Sequence, residues 1–197
     1  MALPCLASKL PFQPISMPFP YGGGWLDISV EHANRLRPGE WVSGIIIDWL
    51  GVMLQYEHGR DRNTWLYGGS YFWDYARRDT SRRENAYTFG LGIFEFRYVL
   101  VPINTESHWS LIVIEIIPKP DDPIPMNCVL WHADSYGSHD GVDAPLRRYL
   151  RNEVIRCCAW IIDPDADAWA ASIPLRQVKV GAIAFAVRPP KQSHLSF

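Results

Sequence analysis

The sequence predicts an α+β domain in which a central, mostly antiparallel sheet is flanked by helices. Three observations carry that expectation. Trp109 to Ile117 and Cys128 to Ala133 are apolar, β-branched runs separated by a proline-rich stretch from Pro118 to Pro125, which reads as strand, loop, strand. Tyr98 to Ile103 reads as a preceding strand, joined to the next by a tight connection over Asn104 to Ser107. Helical spacing of apolar residues occurs on both sides of these strands, so helices are available to cover the sheet.

Along the chain, residues 1–24 carry Pro4, Pro11, Pro14, Pro18, Pro20 and the run Gly22-Gly23-Gly24, and read as an irregular entry segment. Ser29 fits the cap of a short helix ending near Arg37-Pro38-Gly39. After Trp41 a longer helix follows, with Ile45, Trp49, Val52, Met53 and Tyr56 at three- and four-residue steps. A further helix is expected around Tyr71 to Arg78. Trp109 to Ile117 is apolar at almost every position, so both of its faces should be covered. Pro145 suits the first turn of a helix with Leu146, Tyr149, Leu150, Val154 and Cys157 on one side. Ile155 to Ile161 then reads as a helix end running into a buried strand.

The chain has 197 residues, 48% of them apolar and 20% charged, which is the composition of a folded domain. Its formal net charge of -2 gives no pull toward nucleic acid or anionic lipid, and neither is expected as a partner. No apolar run reaches the roughly 18 residues that would suggest a membrane span. Cys5, Cys128, Cys157 and Cys158 fit neither a disulfide framework nor a zinc knuckle. With no basic, apolar leader, these features make an intracellular setting, nuclear or cytoplasmic, the expectation.

A chemical site emerges from the strand–loop–strand unit. A hairpin centred on Asp121 sets His108 opposite Asp134, and an imidazole beside a carboxylate is an oriented general base. Cys128, Cys157 and Cys158 sit in apolar surroundings and read as packing residues rather than nucleophiles. His132, Asp134, His139 and Asp140 have ligand-type side chains, but no reinforcing cluster lies elsewhere, so no metal or other cofactor is assigned. Neither a Gly-x-Ser-x-Gly elbow nor a phosphate-cradling glycine loop is present.

With these segments in place, the chain resembles the ubiquitin-like-protein (SUMO) proteases of the Ulp/SENP class. Leu36-Arg37-Pro38-Gly39-Glu40-Trp41-Val42 is similar to the family's leader L-x-P-x-x-W-L. Val99-Leu100-Val101-Pro102-Ile103-Asn104 with His108-Trp109-Ser110-Leu111 resembles its core motif. Ala133-Asp134-Ser135-Tyr136 resembles its Asp-Ser turn, and Ile173-Pro174-Leu175-Arg176-Gln177 its P-x-Q segment. The resemblance implies a papain-like cysteine peptidase fold over residues 25–177, acting after the C-terminal Gly-Gly of a ubiquitin-like modifier and its conjugates. It implies His108 as general base, Asp134 as its orienter and Gln177 as an oxyanion donor. Trp109 would roof a narrow tunnel for the Gly-Gly tail, and Trp41 belongs to the same substrate-binding set.

Two departures shape the expected function. The family's nucleophile falls six residues after the glutamine, and that position is Ile183; no cysteine follows Cys158. The family's Asn-Asp after the leader tryptophan is Ser43-Gly44. The C-terminal part of the fold is therefore expected to be incomplete, the chain being altered or cut short after Gln177, with residues 178–197 a divergent tail. Val178 to Val187 could pair as an added strand or pack poorly. The expectation is a thiol-protease-type domain without peptidase activity. The alternatives are a non-catalytic module that binds a ubiquitin-like modifier and a metal-dependent hydrolase using His132, Asp134 and His139.

Overall fold

The structure is a computed structural model that describes residues 13–19, 24–37, 40–58, 65–78, 92–105, 108–122, 124, 126–135, 141–158 and 160–179. Seven strands and five helices lie among them: β1 (Ile15–Pro18), β2 (Trp25–Ile28), α1 (Val30–Asn34), α2 (Gly44–His58), β3 (Trp65–Tyr67), α3 (Phe72–Arg77), β4 (Tyr98–Thr105), β5 (His108–Pro118), β6 (Met126–Asp134), α4 (Asp143–Cys157), α5 (Asp163–Ser172) and β7 (Leu175–Lys179). The main sheet runs in the order β3-β4-β5-β6-β7. Its central pairs are antiparallel and its two outer pairs, β3 with β4 and β6 with β7, are parallel. A mostly antiparallel centre flanked by helices agrees with the class expected from sequence.

Sidedness follows from strand alternation. On β5 the residues Ser110, Ile112, Ile114 and Ile116 are buried, and on β6 so are Met126, Cys128, Leu130, His132 and Asp134. Val99, Val101 and Ile103 of β4 share that face through the pairs Val99↔Ile114 and Val101↔Ile112. Against it packs a single core supplied by α3, α4 and α5, including Phe72, Leu146, Leu150 and Trp169. Strand pairing at period two lets one helical layer bury every second side chain.

Several expectations need correction. Trp109, Leu111, Val113 and Glu115 on the other face of β5 are half-buried, so the strand is not covered equally on both sides. The helices α3 to α5 all lie on one face, and apolar composition alone does not report on which side a layer will stack. The entry segment is not irregular throughout, because β1 pairs antiparallel with β2 from Ile15↔Ile28 to Pro18↔Trp25. Among the described residues no strand lies between α4 and α5: the helix ends at Cys158 and α5 begins at Asp163. Asp163-Pro164-Asp165 opens that helix, with proline in its first turn and acids at its positive end. Cys157 is exposed rather than on the packed side of α4, whereas Leu146, Tyr149, Leu150 and Val154 are buried as the spacing requires.

The Ser29 cap forms as expected. Its hydroxyl accepts from the His32 backbone N–H at 3.4 Å, and the His32 ring accepts from the Ser29 N–H at 3.2 Å. Histidine thus takes the place that glutamate usually fills in such a reciprocal cap.

α2 lies over the β3 edge on the opposite face from the main core. Gln55 donates to the Trp65 carbonyl at 3.0 Å and accepts from the Tyr67 N–H at 3.2 Å, pairing backbone groups that an edge strand leaves open. Gly51 permits the close approach: a Cβ there would meet the Tyr67 ring at 2.3 Å. That ring is buried, and its hydroxyl is tied to Asp48 at 2.9 Å, so it has little room to yield. Replacing a helical glycine by alanine ordinarily stabilises by about 1 kcal/mol. At this position overpacking should win, and Gly51→Ala is expected to destabilise by about 1–3 kcal/mol in urea unfolding. An unchanged or raised midpoint would show that α2 is not held against Tyr67.

Candidate active site

β5 and β6 pair as Leu111↔Ala133 through Pro118↔Met126, so their hairpin is centred on Asp122 rather than Asp121. A one-residue move of the centre shifts every partner by two positions. Asp134 is therefore a diagonal neighbour of His108, not its direct opposite. Because side chains alternate with period two, a two-residue shift leaves both on the same face, and diagonal partners stay within reach of long side chains. The His108 Nε2–H donates to Asp134 Oδ1 at 2.7 Å. The carboxylate side chain is 1% exposed and the imidazole 18%. A buried acid with a hydrogen-bonded, partly exposed imidazole is an arrangement that orients the ring and stabilises its cation.

Two rungs inward, the same face carries His132 and Ser110. His132 is fully buried, with Nε2 3.0 Å from the Ser110 hydroxyl. Parallel pairing of β6 and β7 sets His132 beside Gln177, whose amide nitrogen lies 3.5 Å from His132 Nδ1. The β7 register thus brings Gln177 to the face that holds His108 and Asp134. β7 starts at Leu175, ahead of the tail expected to supply an added strand; residues 180–197, Ile183 included, lie outside the described residues.

Trp109 points to the opposite face from His108 and is half-buried. Its indole N–H donates to the Val42 carbonyl at 3.0 Å, joining the start of β5 to the leader segment before α2. Trp41, immediately before Val42, is 65% exposed. A network that the sequence did not disclose supports this corner. Asp48, buried in α2, accepts from the Ser70 N–H at 2.6 Å, the Ser70 hydroxyl at 2.8 Å and the Tyr67 hydroxyl at 2.9 Å. Ser70 in turn lies under Gly44, where a Cβ would sit 2.9 Å from the serine oxygen and 3.6 Å from the Trp109 ring. The available signal was an acid between Ile47 and Trp49 on an apolar helix.

The thiols among the described residues show no activation. Burial pushes the Cys128 thiol up to about 12, and burial also raises Cys157 and Cys158. A thiol held protonated is a poor nucleophile. His132 and Asp134 are engaged with Ser110, Gln177 and His108, while His139 and Asp140 lie outside the described residues. Among the described residues no three His, Cys, Asp or Glu side chains converge as a metal set, and no helix is long and apolar enough to cross a membrane.

This sheet, with its helical layer and its imidazole–carboxylate pair at one end, has the papain-like fold. It matches a crystal structure described as a de-sumoylating protease with a TM-score of 0.62 and 17% identity, over 83% of this chain and 63% of that one. In sequence the chain is 37% identical over 70 residues to the Arabidopsis thaliana protein named "Probable ubiquitin-like-specific protease 2A", covering 32% of this chain and 9% of that protein. It is 30% identical over 66 residues to the Arabidopsis thaliana "Ubiquitin-like-specific protease 1D", covering 32% of this chain and 11% of that protein. These matches thus span about a tenth of each relative's length, and no protein-family model matches the chain. Over the part so covered, the chain is similar to proteins named ubiquitin-like-specific proteases.

The Asp48 network yields a pH prediction. Burial raises the Asp48 carboxyl above its ordinary range, against the opposing donations from Ser70 and Tyr67. A raised carboxyl binds more protons in the folded state, so its contribution falls as pH rises from the unfolded value through the folded one. The stability difference between the natural protein and Asp48→Asn should accordingly move in favour of the asparagine variant across that acidic window, then level off. Paired thermal or urea unfolding at stepped pH measures it. A trend of the opposite sign would mean that the hydrogen bonds outweigh desolvation.

Proposed function

We propose that this chain is a cysteine-peptidase-type domain that grips the C-terminal Gly-Gly tail of a ubiquitin-like, SUMO-type modifier, and that its 197 residues bind the tail without cleaving it. The observation that carries the proposal is the His108–Asp134 contact at 2.7 Å, which forms a base-and-orienter pair. Gln177 supports it by lying on the same face through the β6–β7 register. In this reading His108 is the general base of the framework, Asp134 holds its ring, and Gln177 donates to a carbonyl oxygen of the tail. Trp109, fixed by its bond to Val42, and the exposed Trp41 cover the extended tail with aromatic surface. Such a tail suits a narrow site because glycine brings no side chain and lets backbone approach closely.

Cleavage needs a thiolate beside the imidazole. Ile183 occupies the position to which the resemblance assigns the nucleophile, and the described cysteines have raised thiol pKa values. An aliphatic side chain supplies no attacking atom, so the framework retains recognition and loses turnover. The domain comprises residues 25–177, with 178–197 a tail, and no cofactor takes part.

The test uses the purified 197-residue protein and a SUMO-type modifier, both as a precursor and trimmed to Gly-Gly. No hydrolysis of the precursor is expected, and the trimmed form should bind in calorimetry. Removal of its two glycines, or Trp109→Ala, should weaken binding. Ile183→Cys alone should not create turnover. Turnover by the natural chain that His108→Ala abolishes would overturn the non-cleaving assignment, and equal binding with and without the glycines would overturn tail recognition.

A further inference from the structure

His132 has no part in the roles assigned above, yet it is a fully buried titratable side chain between two strands of the site. Toward β5 its Nε2 lies 3.0 Å from the Ser110 hydroxyl oxygen. Toward β7 its Nδ1 lies 3.5 Å from the Gln177 amide nitrogen, the long end of a hydrogen bond. With its amide nitrogen placed toward the ring, Gln177 donates and Nδ1 accepts. The single proton of a neutral ring then sits on Nε2 and is donated to Ser110, whose oxygen has a lone pair for it. Both bonds are satisfied by one tautomer, and no second charge is buried two residues from Asp134.

We infer that His132 is a positioning residue for Gln177: a neutral imidazole that takes one N–H of the side-chain amide and leaves the other for a carbonyl oxygen of the bound tail. The inference rests on the proposed role of Gln177 as a donor to the modifier. Its physical basis is the placement of that glutamine. Gln177 is exposed on the outermost strand, and a glutamine side chain loses considerable rotamer freedom when it is ordered. Anchoring it to a rigid, buried ring beforehand removes that ordering from the binding step. The anchor is itself held from two sides, by the β5–β6 ladder through Ser110 and by the β6–β7 pairing His132↔Gln177.

The first measurement is made on the free 197-residue chain, by ring-nitrogen NMR of its histidines. His132 is expected to show an unprotonated Nδ1 and a protonated Nε2 at neutral pH. The reverse tautomer, or an imidazolium, would overturn the inference. The second compares variants. His132→Asn keeps an acceptor near the place of Nδ1, whereas His132→Gln reaches only toward Ser110. The asparagine variant should keep the distinct side-chain amide signals of Gln177 and the affinity for a SUMO-type modifier ending in Gly-Gly. The glutamine variant should lose those signals and bind about three- to tenfold more weakly, with the β6–β7 backbone signals unchanged. Identical behaviour of the two variants would overturn the positioning role. If either variant does not fold, the tautomer in the natural protein decides. If the natural protein binds no modifier, the proposed function fails while the free-protein spectra still decide whether His132 anchors Gln177.

Discussion

Antiparallel pairing of β5 with β6 is the constraint on which the rest of the structure depends. It selects, by alternation, which side chains of the two strands meet. One face receives Ile112, Ile114, Cys128 and Leu130, which anchor the helical layer, and at its open end the same face receives His108, Ser110, His132 and Asp134. Core and site are consecutive stretches of one stripe. Slipping the pairing by a single residue would turn both stripes to the other face, so the hydrophobic energy that secures the core also secures the contact of imidazole with carboxylate. At the polar end the buried Asp134 and His132 both have partners.

The outer strands extend this arrangement in parallel fashion. β7 is reached by way of α4 and α5, which cross the covered face before the chain returns to the sheet beside β6. That excursion is capped with care: Arg147 donates to the carbonyls of Ala170 at 2.7 Å and Ala171 at 3.1 Å, closing the end of α5 just before β7 begins. The indole of Trp169 donates to the Met126 carbonyl at 2.9 Å, fixing α5 against the start of β6. Gln177 thereby arrives at its rung by the docking of two helices rather than by any local turn. At the opposite edge α2 is seated on β3 by Gly51, Gln55 and Asp48, and it presents the leader carbonyl that Trp109 binds. The site is assembled from both edges of the sheet toward a centre defined by the hairpin.

Local signals in the sequence were dependable where the physics is local. Ser29 capped its helix, the Trp109-to-Ile117 and Cys128-to-Ala133 runs were strands, and Leu146, Tyr149, Leu150 and Val154 shared a buried helix face. The exact register was off by two residues because the proline-rich loop does not specify its own centre, and turn geometry, not strand composition, sets that centre. The contact between His108 and Asp134 survived this error through parity alone. The three-residue strand β3 and the ribbon strand β1 were not legible, since segments so short carry too few alternating positions to register a period.

What the sequence determined by itself was therefore the class of sheet, the helix faces, and the adjacency of one imidazole to one carboxylate, each of which follows from spacing along a single strand, helix or hairpin. Tertiary structure decided the rest. It put all three later helices on one side of the sheet, left the second face of β5 half-covered, exposed Cys157, buried Asp48 against Ser70 and Tyr67, and brought Gln177 to His132 across 45 residues of chain. Those outcomes depend on how separately formed elements stack, and a stacking choice is settled by the summed packing of many side chains that no local window contains.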